Sequence, residues 1–291
     1  MRTKLFRLWL LTLMGLSMSL SASAQFSGGT GTEANPFQIK TAEDLNNVRN
    51  YIGNSHADKH FRLMNDVDLT VFLSNYSEGW SPIGDGNNHF TGYFHGSGYQ
   101  IKGLWINRPL NYMALFGTNS GIIDSLAVVV SNKNITGREY VGGLVALNYH
   151  YGLIFQCFAT GGSISGTSYC GGLIGQNENG IVINCYATTS SSASNSSSGG
   201  LIGNNTGIVN NCYATGSSAS RECSGGLIGT NWGTVNNCYA SGSSSVSYYY
   251  SGGLIGFLYG GEITNCYAIG EVSCHVDNCV RDESRPLVIA L

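Results

Sequence analysis

The sequence predicts an all-β fold: a parallel β-helix of coils near 27 residues, capped at its N-terminal end by one short helix. Three observations predict it. The glycine pairs at 142, 171, 199, 225 and 252 recur at intervals of 29, 28, 26 and 27 residues. The cysteines Cys157, Cys185, Cys212, Cys238 and Cys266 keep step at intervals of 28, 27, 26 and 28. Between them lie short β-favouring runs bounded by glycine or asparagine, enough for about three five-residue strands and three turns per repeat. Helical repeats are excluded, because glycine (41 of 291 residues) and serine at this density do not hold helices. Leucine-rich repeats are excluded by the absence of their L-x-x-L-x-L pattern.

The elements follow in order. Residues 1–24 read as an export signal: Arg2, Lys4 and Arg7, the apolar run LWLLTLMGLSMSL, then small residues Ala22 and Ala24, so that the mature chain begins at Gln25. No other stretch is long and apolar enough to span a bilayer. Residues 25–109 hold the cap and the first, irregular coils. Thr41 is an N-cap with Asp44 at the capping-box position, and Leu45, Val48 and Ile52 line one helical face. Such a helix covers the open edge of the first coil. The stretches HFRLMNDVDL (60–69) and FTGYFHGSGYQIKGLWI (90–106) supply the first strands. Residues 110–270 are the repeats proper, opened by a weaker copy at 114–128 with Leu126 in place of cysteine. From 271 to 291 the pattern dissolves. The exposed last coil then calls for a truncated frame, a covering partner or self-association.

Stacking turns repeated letters into columns. Asn119, Asn148, Asn177, Asn205 and Asn231 predict a ladder of hydrogen-bonded amides. Gly121, Gly152, Gly180, Gly207, Gly233 and Gly261 predict turn conformations that other residues resist. Leu126 and Val128 replace the column cysteine and the alanine two residues on, so both positions face inward. The residue between them then faces outward: Phe158, Tyr186, Tyr213, Tyr239 and Tyr267.

The chemistry-bearing residues are few. One column of cysteines does not converge on a metal as Cys-x-x-Cys spacing does, and it reads as small buried hydrophobes, mostly reduced. Asp66 and Asp68 read as turn residues. His89 and His95 read as surface histidines, and no metal site or cofactor is expected. Only 11% of residues are charged, and the net charge is −3 with no basic patch, which excludes nucleic acid. Between 140 and 270 the charged residues are Glu178, Arg221, Glu222 and Glu262. Glu178 and Glu262 stand about three coils apart, roughly 14 Å, beyond the ~5–9.5 Å window of paired glycosidase carboxylates. Candidate ligand contacts are the tyrosine column (Tyr186, Tyr213, Tyr239, Tyr267) and the loop cluster Tyr248, Tyr249 and Tyr250, which sits where other coils carry serine. The column supports two readings: an aromatic stack that stabilises the sheet, or a platform for a sugar or a protein.

The repeats GGLIGQNENGIVINCYATT, GGLIGNNTGIVNNCYATG and GGLIGTNWGTVNNCYASG, with GTGTEANPFQIKTAEDLNNV, WSPIG and FTGYFHGSGYQI upstream, resemble proteins of the GLUG-motif family over roughly residues 28–270. The resemblance implies a secreted or surface-exposed, adhesin-like bacterial β-helix of the kind common in gut Bacteroidetes. The motif also occurs in large streptococcal IgA-cleaving metalloproteases, whose H-E-x-x-H zinc signature is missing here, since no histidine is followed by glutamate. The function expected is therefore non-catalytic binding of a carbohydrate or a host surface protein at a Gram-negative cell surface. The alternative is a polysaccharide-active β-helix enzyme, with Glu178 or Asp85 in its site, or a module of a larger secreted hydrolase.

Overall fold

The computed structural model describes residues 25–274, and 280–281 by backbone alone. The leader at 1–24, Cys279 and most of the tail lie outside the described residues. The chain winds as a parallel β-solenoid of about eight coils, with 49% strand and 6% helix. Strands stack into a nine-stranded sheet, a thirteen-stranded sheet and two six-stranded sheets, parallel through every named strand pair. Each repeat visits the sheets in turn. For one coil these are Ser197–Gly199, Ile202–Asn205, Ile208–Asn210 and Tyr213–Ala214.

The core follows from alternation along each strand. In the coil 199–214, Leu201, Ile202, Val209, Cys212 and Ala214 are all buried, and their counterparts one coil up and down repeat the same columns. Leu126 and Val128 fill the cysteine and alanine positions of the first repeat and are fully buried, as their apolar character predicts. The Asn119-to-Asn231 column is buried as well, and each Nδ2 donates to the next Oδ1 at 2.8, 2.9, 2.8 and 2.7 Å. A second inward device is made of serine. Ser191, Ser218 and Ser244 hydrogen-bond Ser198, Ser224 and Ser251 across the coil interior at 2.8, 2.8 and 3.1 Å. Each also donates to the carbonyl of the following glycine.

The turn glycines act for a different reason from the one expected. Of the six, only Gly261 has positive φ, at 86°. A Cβ on Gly207 would lie 2.1 Å from the Gly180 oxygen and 2.6 Å from the Asn177 amide nitrogen. The position must be glycine because the neighbouring coil and the amide ladder occupy the space. The left-handed turns fall instead on the residue before each column cysteine: Gln156, Asn184, Asn211, Asn237 and Asn265, with φ of 53, 56, 54, 53 and 52°. Asparagine tolerates this conformation where branched residues do not. Asn211→Val is therefore expected to destabilise by about 1–2 kcal/mol while Asn211→Gly is close to neutral, measured by urea titration.

At the N-terminal end, helix Ala42–Asn47 carries the predicted capping box: Asp44 N–H donates to Thr41 Oγ1 and the Thr41 N–H donates to Asp44. Leu45 and Val48 are fully buried against Phe26, Ile39 and Phe61, and Ile52 packs partly buried beside them. Strand pairing also continues beyond 270. Val272–Cys274 pairs with Ser244–Val246, and Val280 and Arg281 pair with Tyr250 and Ser251.

Candidate ligand-binding face

The lateral face of the thirteen-stranded sheet is built by strict alternation. In residues 186–193, 213–220 and 239–246 the even-spaced partners Ala, Thr or Gly, Ser and Ala, Ser or Val are buried. The residues between them are half-buried or exposed: Tyr186, Thr188, Ser190 and Ser192; Tyr213, Thr215, Ser217 and Ala219; Tyr239, Ser241, Ser243 and Ser245. Eleven of these twelve carry a hydroxyl and none carries a charge. The columns stand near 4.8 Å apart along the axis, as the tyrosine ring spacing shows, and alternate residues stand about 6.6 Å apart along the strands. Beside the tyrosines the serine columns line a shallow groove of about 290 Å³. Ser243 donates to Ser217 at 2.9 Å, and Thr136 and Ser165 bond at 3.1 Å, so the columns are laced together.

The tyrosine column lies where alternation places it, but as an edge rather than a platform. From Phe158 through Tyr267 successive rings stack at 4.6, 4.8, 4.9 and 5.3 Å with interplanar angles of 4–8°. Each ring face is covered by its neighbour, so ring edges and phenols point outward. Tyr267, last in the described column, is the exception and is 45% exposed. Burial raises the pKa of Tyr186 and Tyr213, which keeps these phenols neutral hydrogen-bonding groups.

Tyr248, Tyr249 and Tyr250 do not join this column. They occupy the turn into a six-stranded sheet, where Tyr250 pairs in register with Cys223. The Arg221 guanidinium sits over the Tyr248 ring at 5.0 Å. Tyr250 packs on Phe257 and Phe257 on Tyr259, each at 4.2 Å, and Tyr259 stacks on Trp232 at 4.1 Å. Trp232, Phe257 and Tyr259 were not singled out by the sequence. Their signal was positional: the last coil reads GGLIGFLYGG where its neighbours carry asparagine and threonine.

The remaining candidates take structural roles. Asp85 accepts the N–H groups of Asn87 and Asn88, an Asx turn. Asp66 pairs with Lys102 at 2.7 Å and Asp68 accepts the Thr70 N–H, as turn residues do. Glu178 accepts the Gln176 amide and Glu262 contacts Thr264. His89 bonds Ser120 at 2.9 Å. His95, expected as a plain surface histidine, instead joins a half-buried chain with His60 and Asp124, taken up below. The column cysteines are free and buried, each Sγ facing the carbonyl two residues back, as in Cys185 to Ile183 at 3.2 Å. Burial pushes the thiols of Cys157 and Cys170 up to about 12. Among the described residues, Cys223 is the one of seven free thiols that is not fully buried. Iodoacetamide at neutral pH is expected to modify at most Cys223 of these in the native protein, with the six others reacting only after denaturation, as read by mass spectrometry.

Comparison with known proteins places these repeats. A crystal structure of a protein provisionally named an immunoglobulin A1 protease, from Bacteroides ovatus, shares the fold with a TM-score of 0.71 and 22% identity, over 86% of this chain and 80% of that one. A protein provisionally named a Gly-rich membrane protein, from Evansella cellulosilytica, is 42% identical over 137 residues, 46% of this chain. The halomucin of Haloquadratum walsbyi is 32% identical over 159 residues, 52% of this chain. The chain spans only 16% and 2% of the lengths of those two relatives. The GLUG motif matches at 137–165, 166–192, 220–247 and 247–273. The coil between the matched segments keeps the same register, with Ile202 under Ile228 and Tyr213 under Tyr239. Through these four segments the chain carries repeats of the GLUG-motif family.

Proposed function

We propose that this chain is a non-catalytic, exported, adhesin-like β-helix whose hydroxyl-rich lateral face binds carbohydrate at a cell surface. The single observation that carries the reading is the charge-free lattice of tyrosine, threonine and serine hydroxyls across three successive coils. Uncharged hydroxyls both donate and accept, so they match the hydroxyls of a neutral polysaccharide and offer nothing to a polyanion. The stacked rings present edges, so the contact is hydrogen bonding along the face rather than sugar stacked on an aromatic plane. Ring-face contact is left to Tyr267 and to the separate cluster around Tyr248, Tyr249, Tyr259 and Trp232. Two features support surface residence: the names of the two sequence relatives, membrane protein and halomucin, and the export signal read at 1–24. Among the described residues no helix is long and apolar enough to cross a membrane. Among the described residues no carboxylate lines the groove, which is why binding is preferred to hydrolysis.

A glycan array and affinity electrophoresis in neutral and uronic polysaccharides test the proposal. Retardation by neutral polymers is expected, weakened at least tenfold in a Tyr213→Ala/Tyr239→Ala/Ser217→Ala variant. Absence of binding to any glycan or mucin would sink it. Turnover of a polysaccharide, lost in Glu178→Gln or Asp85→Asn, would replace it with the enzyme reading.

A further inference from the structure

On the outer face of the nine-stranded sheet, His60, His95 and Asp124 form a chain across three successive strands. His95 Nδ1 lies 2.7 Å from Asp124 Oδ2, and His95 Nε2 lies 3.2 Å from His60 Nδ1. Strand register produces the contact: His95 pairs with Asp124 directly above it, and His60 sits two residues along the strand below. The carboxylate accepts the His95 Nδ1–H and so fixes that ring's tautomer, leaving the Nε2 lone pair aimed at His60. The His60 ring is held flat against Tyr93, with centroids 4.1 Å apart and planes 3° apart. Two imidazole nitrogens thus converge, one of them backed by a carboxylate, with both rings held in place.

We propose that His60 and His95 form the protein half of an open site for a late first-row divalent ion, Cu²⁺ above all. Nitrogens bound to one ion at about 2.0–2.1 Å stand roughly 2.9 Å apart at a right angle and 3.4 Å apart at the tetrahedral angle. The observed 3.2 Å falls between these, and seating the ion turns each nitrogen's lone pair about 35–45° off the line joining the two nitrogens. Binding moves the His60 proton from Nδ1 to Nε2 through solvent, so the neutral ring keeps its proton count. Imidazole suits copper, nickel and zinc, and the ordinary affinity order puts Cu²⁺ first. Asp124 orients His95, as the carboxylate partners of metal-bound histidines do. The side chains of His95 and Asp124 are 25% and 24% exposed, so water or an outside donor completes the coordination sphere. No group of three or more histidine, cysteine, aspartate or glutamate side chains converges among the described residues, so these supply two ligands. The site lies away from the hydroxyl face, and the proposal does not rest on the carbohydrate reading.

Untagged chain from Gln25 onward, titrated with Cu²⁺ and followed by electron paramagnetic resonance, tests this. The expected result is one tight equivalent with the hyperfine pattern of two imidazole nitrogens. His60→Gln/His95→Gln is expected to abolish that equivalent. Asp124→Asn keeps both ligands and is expected to weaken binding about 10–100-fold at unchanged stoichiometry. A native spectrum without two-nitrogen coupling overturns the proposal, as does equal binding in the double variant. Should the double variant lose its strand circular dichroism, unchanged affinity in Asp124→Asn overturns the proposal by itself.

Discussion

Replacing Asn177 with leucine is expected to remove about 3–5 kcal/mol of stability. Asn177 is fully buried in the middle of the amide ladder. Its Nδ2 donates to Asn205 Oδ1 at 2.8 Å and to the Gly180 oxygen at 3.1 Å, and its Oδ1 accepts from Asn148 at 2.9 Å. Leucine leaves one Asn148 N–H without a partner in the dry interior, at about 1–3 kcal/mol, and takes one of two donors from Asn205 Oδ1 and from the Gly180 carbonyl, which keep the Gly207 and Ile208 N–H groups. It also breaks a chain whose members polarise one another. The ladder makes a second, sharper expectation. Asn148→Leu and Asn177→Leu share one hydrogen bond, so the double variant should cost less than the sum of the singles by about 0.5–3 kcal/mol. Urea titration by circular dichroism supplies the cycle. Additive losses would show that the column contributes packing alone.

That ladder was legible in the sequence because stacking carries a repeated letter onto itself. The same logic placed the cysteines and alanines inward and the tyrosines outward, since Leu126 and Val128 betray the inward face. It could not say that the tyrosine rings would lie parallel and cover one another's faces. Ring orientation is set by the 4.8 Å rise, which no single repeat reveals. The turns were misread for a related reason. Glycine after the ladder asparagine suggested a left-handed turn, yet its role is clearance, and the left-handed residue is the one before each column cysteine. Both columns are visible as letters, but only the packing of adjacent coils assigns their roles. The His60–His95–Asp124 chain was illegible altogether. It depends on pairing between irregular N-terminal coils, where His60 meets Tyr93 and Tyr93 meets Ile122 across unequal lengths of chain. Where the repeat fails, register has to be seen.

The buried thiols predict the other large effect, a loss of stability in mild alkali. Burial pushes Cys157 and Cys170 up to about 12 from an ordinary value of 9.0. Cys238 reaches about 12 chiefly through its sulfur contact with Cys212, with burial adding to it. A thiol is neutral when protonated, so below pH 9 folded and unfolded chains hold the same protons and these groups leave stability unchanged. Above pH 9 the unfolded thiols ionise while the folded ones keep their protons. The unfolded state then binds fewer protons, and stability falls as pH rises toward 12. Each thiol approaches about 1.4 kcal/mol per pH unit once its unfolded form is fully ionised and gives about 1 kcal/mol between pH 9 and 10, so these three together give roughly 3 kcal/mol over that interval. Cys212, also raised by burial, adds in the same direction. Tyr140, Tyr186 and Tyr213 are raised from 10.0 and enter mainly above pH 10, so the cysteines dominate the interval from 9 to 10 and their substitution assigns it. Urea midpoints should be flat from pH 7 to 8.5 and fall steeply by pH 10. Cys157→Ala and Cys238→Ala should each reduce the loss between pH 9 and 10 by about 1 kcal/mol while costing a little stability at neutral pH. A midpoint unchanged at pH 10, or a slope indifferent to both substitutions, would mean the column thiols ionise in the folded chain. The reading of that column as inert core would then fail, and the thiols would have to be reconsidered as reactive groups.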